Sequence, residues 1–384
     1  MLKGKRARIT AIVIIIILLC AGASMIYLSA KQQPDMNQSI ATDTKSEIEL
    51  VFGRLDPIRG LSGMDIRGKN LSKLSIDELA GLSFDTNTIW PDKSVLPGSF
   101  SPEDWLNASK DPGLGLSDLH SGGITGKGVS IAVFDKPINS SHMEFSDRLF
   151  YKTTDIPGDF ETLHFHGISC ASIIGGNTCG VAPEVKIYYF AVPDNGRNFT
   201  NYCTAMDELI ALNKTLPAND KIRLVSISDG LYEDGIQWDK WSVALEKAKA
   251  EGIEVNYSNS LGNKKFAWGG CPPYKDKNNP DNYVNNKNFA KGLSLSFALI
   301  PADYRTTAEN EGNNAYSYWG ESGFSWAIAY TTGLSALAYQ VNPDITYDEI
   351  LKLLYETKTI NENGIGVINP ESFIEAVGKV KTGS

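Results

Sequence analysis

The chain has 384 residues but only four histidines, His120, His142, His164 and His166, and none follows position 166. That shortage excludes several chemistries. His164 and His166 are spaced for one face of a strand, not for the i, i+4 pair of a helical HExxH zinc site. Gly320-Glu321-Ser322-Gly323 begins like a GxSxG nucleophile elbow, but position 324 is Phe and no apolar strand leads in. Such an elbow also requires a histidine after its serine, and this chain has none there. Cysteine is scarce too. Cys20, Cys170, Cys179, Cys203 and Cys271 fit no zinc spacing, while Cys179 and Cys203 are available to pair in an oxidising medium. Positive charge is in deficit, with 36 Lys and Arg against 45 Asp and Glu and a net charge of −9. That balance argues against nucleic acid as a partner. Lys275 to Lys291 is rich in oxygen-bearing side chains but lacks the EF-hand spacing and its closing Glu, so it reads as a solvated loop.

One long uncharged run is present, Ile9 to Ala30, preceded by Lys3, Lys5, Arg6 and Arg8. A secretory apolar region spans ~7–15 residues, whereas a membrane helix needs ~20. The run therefore predicts a signal anchor with the basic end in the cytoplasm and the rest outside. Cleavage after Leu28-Ser29-Ala30 would make the remainder secreted. The organisation follows: residues 1–30 as basic residues and anchor, 31–48 as a polar spacer, 49–100 as a small lead-in, and 101–384 as the main domain. The leucines of the lead-in predict a helical hairpin or a short leucine-repeat piece. An inhibitory prodomain would fit there as well, though the segment is short and reads more as an N-terminal dock.

Three segments carry chemistry. Lys127 to Asp135, KGVSIAVFD, reads as a strand buried on both faces that ends in an acid. Ligands gather at the carboxyl ends of strands in open α/β sheets, although an aspartate there also simply starts a turn. After His166 comes a run of small and apolar residues, Gly167 to Gly176, suited to a short buried helix. Histidine suits proton shuttling because its ordinary pKa lies near neutrality. His164 is expected to line the approach to the site. Gly323-Phe324-Ser325-Trp326-Ala327 then opens a stretch whose residues Trp326 to Tyr339 carry no charge. A helix apolar on all sides must be buried, and its N-terminus favours developing negative charge. Ser325 sits at that mouth.

In the order Asp, His, Ser, these segments resemble the subtilisin-like serine proteases. Gly126-Lys127-Gly128-Val129 to Asp135 matches the family's aspartate strand. His166-Gly167-Ile168-Ser169-Cys170-Ala171-Ser172 matches its histidine motif in part. Gly180-Val181-Ala182-Pro183 is intact and precedes an apolar strand, Val185 to Val192. Gly323-Phe324-Ser325-Trp326-Ala327, with Gly333 in register, matches the serine motif, and Val341-Asn342-Pro343 ends the helix as the family's does. The resemblance spans roughly residues 105 to 380. The departures are Lys136-Pro137 for Thr-Gly, Ile168 and Phe324 for threonines, and Ala329 for proline, which mark a divergent branch.

The resemblance implies a three-layer α/β/α sandwich with a mainly parallel sheet and a catalytic triad of Asp135, His166 and Ser325, acting without a cofactor on a peptide or protein substrate. Some members hold structural calcium. Ser228-Asp229-Gly230 follows a strand, Ile222 to Ile227, and looks like the segment whose backbone pairs with an extended substrate. The oxyanion donor is less clear. An ungapped alignment from Gly252 puts Leu261 at the donor position, with Asn259 and Asn263 two residues to either side. The implied activity is that of a membrane-tethered serine endopeptidase. The open oxyanion position, Phe324 and Ala329 keep a second reading, a peptide- or partner-binding pseudoprotease that does not cut.

Overall fold

The apolar strand ending at Asp135 sends its side chains to two different cores. Ile131 and Val133 pack into one, Ala132 and Phe134 into the other. Alternation is what a strand dictates, and apolar residues on both faces require cover on both sides. That requirement gives the layered architecture of the computed structural model, which describes residues 46–145, 147–193, 199–229, 235–258, 261, 265–285 and 297–381. The expected anchor, Ile9 to Ala30, lies outside the described residues. Among the described residues no helix is long and apolar enough to cross a membrane.

Residues 47–384 form one unit. In chain order it begins with α1 (Glu47–Phe52), α2 (Ile76–Ala80), β1 (Phe84–Asp85), α3 (Pro102–Ala108) and α4 (Leu116–Ser121). Then come β2 (Ser130–Asp135), β3 (Leu149–Thr153), α5 (Phe165–Gly175), β4 (Lys186–Ala191), α6 (Thr200–Thr215), β5 (Ile222–Ser226), α7 (Trp238–Ala250) and β6 (Glu254–Asn256). The last part holds β7 (Phe266–Gly270), β8 (Val284–Asn285), β9 (Ala298–Asp303), β10 (Arg305–Ala308), β11 (Tyr316–Trp319), α8 (Phe324–Val341), α9 (Tyr347–Glu356), β12 (Thr359–Ile360), β13 (Gly366–Val367) and α10 (Pro370–Lys379).

The strands β3-β4-β2-β5-β6 make a wholly parallel sheet, in that order. One core holds α5 and α8 against this sheet, and the other holds α6 and α7. A second sheet, β12-β13-β9-β7-β8, continues the first core and is parallel at β13-β9-β7. The α/β sandwich with mainly parallel strands is therefore present, its parallel strands divided between two sheets, beside a third, antiparallel sheet, β1-β11-β10. Every residue of α8 from Trp326 to Tyr339 is buried. Gly333 lets it approach α5: a Cβ there would stand 2.5 Å from the Cβ of Val181 and 3.1 Å from the carbonyl oxygen of Ile174.

The lead-in forms neither a helical hairpin nor a leucine repeat. Leu61, Leu71, Leu74, Leu79 and Leu82 instead converge with Phe84, Phe100, Trp105 and Tyr318 in a core of their own. Gly and short polar runs break the segment into single turns, so its leucines meet through loops rather than along a helix face. β1 pairs antiparallel with β11, placing Phe84 opposite Tyr318 and Asp85 opposite Ser317. The Tyr318 hydroxyl donates to the Ala80 carbonyl at 2.9 Å.

Two other expectations need correction. Cys179 and Cys203 are both free. Cys179 belongs to the lead-in core and Cys203, on α6, packs against the far core of the sheet, so folding separates them. The loop beginning at Lys275 is mostly exposed, but Lys277 and Tyr283 are buried. Lys277 donates to the carbonyls of Asp111 at 3.3 Å and Tyr304 at 3.5 Å. Burial, with Arg305 nearby, pushes its pKa down to about 7.

Phe84 is fully buried, with ring contacts to Trp90, Tyr318 and Phe100. Phe84→Ala should therefore cost about 3–5 kcal/mol in chemical denaturation and expose residues 47–100 to limited proteolysis before the rest of the unit.

Candidate active site

Asp135 is the last residue of β2, where the parallel sheet turns its carboxyl edge to solvent. His166 is the second residue of α5. The ring of His164 caps this helix: its Nδ1 accepts the His166 backbone N–H at 3.2 Å. His164 is thus a helix cap. Gly167 is needed for the fit, because a Cβ there would collide with the Tyr189 hydroxyl at 2.0 Å. With α5 so placed, His166 Nδ1 lies 2.9 Å from each carboxylate oxygen of Asp135. The side chain of Asp135 is 6 % exposed and that of His166 23 %. Burial, the largest single influence, disfavours the imidazolium, but the charge and hydrogen bond of Asp135 outweigh it and the His166 pKa is raised.

Ser325 lies in the first turn of α8, whose N-cap is Gly323 with no side-chain cap. The approach to it is anchored by Asp303 at the end of β9, which accepts the N–H and the hydroxyl of Ser322, both at 2.8 Å. Asn256, fully buried at the end of β6, donates to the Ile328 carbonyl at 3.0 Å and to Thr332 Oγ1 at 2.9 Å. It ties the parallel sheet to α8.

Ser325 Oγ donates to the Ser228 carbonyl at 3.0 Å, and Ser228 Oγ donates back to the Ser325 carbonyl at 3.2 Å. The nucleophile candidate thus points at the strand-end segment, not at the imidazole. Asp135, His166 and Ser325 nevertheless line one cavity of about 380 Å³, together with Ser228, Asp229, Lys136, Tyr202, Ser258 and Phe324. Asp229 accepts a hydrogen bond from Tyr202 at 3.1 Å. Gly230, Asn259 and Asn263 lie outside the described residues. Leu261 is fully buried in the main core.

Sequence reasoning missed Asn256, Asp303, Lys136 and the cap role of His164. Nothing in a lone Asn or Asp signals a partner some 20 to 70 positions away. The His164-x-His166 spacing did carry a signal, since a side chain two residues before a helix's N–H is where a cap acts.

The donor atoms of Asp135, His166 and Cys170 all lie within 4.8 Å of one another. This set is poorly suited to a metal. Asp135 and His166 are engaged with each other, and burial, followed by the Asp135 charge, pushes the Cys170 thiol well above its usual range. A thiol must lose its proton to bind a metal.

The subtilase family model matches residues 126–294, which include Asp135 and His166 and end before Ser325. A subtilisin-like protease 2 of Arthroderma otae is 30% identical over 218 residues, covering 55% of this chain and 50% of that protein. A cuticle-degrading protease of Metarhizium anisopliae is 32% identical over 108 residues, covering 27% of this chain and 28% of that protein. The chain thus spans about half or less of these curated relatives. Among solved structures, one of subtilase cytotoxin SubAB assembly aligns with a TM-score of 0.52 at 18% identity, covering 72% of this chain and 96% of that one. The A-subunit of the AB5 toxin from E. coli gives 0.50 at 18% identity, covering 70% and 98%. These likenesses show the fold.

The raised pKa of His166 has a direct readout. In an NMR titration its midpoint should lie above the ordinary value of about 6.5. Asp135→Asn should carry it below that value, because burial and the charge of Lys136 then outweigh the remaining charge of Asp229. A midpoint unmoved by the substitution would separate the two residues electrostatically.

Proposed function

We propose that this chain is a divergent member of the subtilase family and a serine endopeptidase whose triad is Asp135, His166 and Ser325. The carrying observation is the doubly bonded Asp135–His166 pair on one wall of a cavity whose other wall is Ser325. Bound substrate lies along Ser228-Asp229-Gly230 as an added strand. Ser325 leaves the Ser228 carbonyl by rotation about χ1, a step between staggered wells. His166 Nε2 then takes the hydroxyl proton as Oγ attacks the peptide carbonyl, and later passes a proton to the leaving amine. Water releases the acyl group by the same route. Asp135 keeps the Nδ1 proton in place and stabilises the imidazolium. Apo hydrogen bonds at such sites often form only on substrate binding, so the resting hydroxyl position is compatible with this sequence.

The N–H of Ser325, in the first turn of α8, serves as one oxyanion donor, favoured by the helix dipole. Asn259 and Asn263 remain the side-chain candidates for the other. The peptidase unit is held at the outer face of the cell membrane by Ile9 to Ala30, or secreted if the chain is cut after Ala30. The chemistry draws on protein groups and water and calls for no cofactor.

A second reading is favoured by one observation: Ser325 Oγ is held by Ser228 rather than by His166. In that reading the cavity binds peptides without cutting them. A fluorophosphonate probe separates the two. Wild-type protein should be labelled at Ser325, Ser325→Ala should not be, and Asp135→Asn should lower kcat by about 10⁴. Folded wild-type protein that resists the probe would favour the binder. The rate of hydrolysis should rise with pH through the raised His166 pKa, since only the neutral ring accepts the proton.

A further inference from the structure

The residues that flank the base and the nucleophile are aromatic, and they touch. Phe165 immediately precedes His166, and Trp326 immediately follows Ser325. The rings of Phe165 and Trp319 lie 5.1 Å apart, those of Trp319 and Trp326 5.5 Å apart, and those of Trp326 and His166 5.7 Å apart in an edge-to-face arrangement. An unbroken aromatic chain therefore links the N-terminus of α5 to that of α8, through the last residue of β11.

One cation from the lead-in caps this chain. The Arg59 guanidinium carbon sits 5.7 Å from the Phe165 ring centre and 5.9 Å from that of Trp319. It is fixed there by two buried acids. Its Nη1 donates to Glu309 Oε2 at 2.6 Å, and its Nη2 stands 3.7 Å from Asp85 Oδ2. The side chains of Glu309 and Asp85 are 4 % and 0 % exposed, against 28 % for Arg59. Glu309 also accepts the Ser317 hydroxyl of β11 at 2.8 Å. Buried acids that share one cation leave it little freedom, and a planar guanidinium stacks on rings as an ammonium does not.

We propose that Arg59 is a positioning residue: through Phe165, Trp319 and Trp326 it sets the spacing between His166 and Ser325, so that residues 47–100 are a permanent part of the catalytic unit rather than a segment to be removed for activity. This rests on the peptidase reading for its kinetic consequence, but the geometry it asserts is independent of it.

The test uses the full chain. Removing Arg59 alone would strand two buried acids, so the variant is Arg59→Met with Asp85→Asn and Glu309→Gln, which removes the charges together. Phe165→Leu is the second variant and keeps the ion pairs. Folding is checked by circular dichroism and thermal unfolding. Expected for both is a fall of about tenfold or more in the fluorophosphonate labelling rate and in kcat, as small misplacements of reacting groups produce, with KM nearly unchanged. The ring-current-shifted proton resonance of the His166 imidazole should move in both variants, and Arg59→Lys should recover only part of the loss. A labelling rate and a His166 resonance both equal to wild type in a folded variant would overturn the proposal. So would a loss that vanishes on cooling in step with thermal stability. If wild-type protein resists the probe, the peptidase reading fails and the His166 resonance alone decides whether the clamp exists.

Discussion

The buried helix α8 constrains the rest of the structure. A segment of 18 residues without a charge cannot face water on any side. The parallel sheet and α5 cover part of it, and the second sheet, α9 and α10 join the same core. What remains accessible are its two ends, and Ser325 lies at the first. The same burial that stabilises the fold thus decides where a nucleophile and the positive end of a dipole meet solvent. Asn256 and Asp303 then fix that end at two points, so its position is set by hydrogen bonds as well as by packing.

The site joins elements that are distant in the chain but adjacent in topology. β2 delivers Asp135 and α5 delivers His166. The end of β5 brings Ser228 to Ser325 through a reciprocal pair of hydrogen bonds. Each side chain lies at an element's end, where the backbone is held by a sheet or a helix and the side chain meets the cleft. The aromatic chain from Phe165 to Trp326 ties two of these ends together. Divergence at Phe324 and Ala329 left this scaffold in place: Phe324 packs on Trp268 and Ala329 is buried in the core.

Local patterning made much of this legible in the sequence. The runs that became β2, α5 and α8 were apolar in ways that only burial on every side explains, and their ends carried Asp135, His166 and Ser325. Their polar supports were not legible, because Asn256, Asp303 and Arg59 act on partners far along the chain. The lead-in misled for a related reason. Its leucines have near-helical spacings, yet Gly60, Gly63, Gly68 and Gly81 punctuate them, and the leucines pack across loops. His164 illustrates the opposite case, a residue expected only to line the approach that satisfies a helix-end N–H.

Lys277 gives the fold an alkaline bias. An ammonium carried into a nearly dry interior is tolerated best once it has lost its proton, and here that happens near 7 instead of near 10.5. Between those two values the unfolded chain holds a proton that the folded one has shed. Raising the pH across that interval therefore draws the equilibrium toward the folded form, and below about 7 the lysine imposes its full penalty. The lysine's own contribution thus grows through mildly basic conditions, the same conditions that leave the imidazole of His166 uncharged.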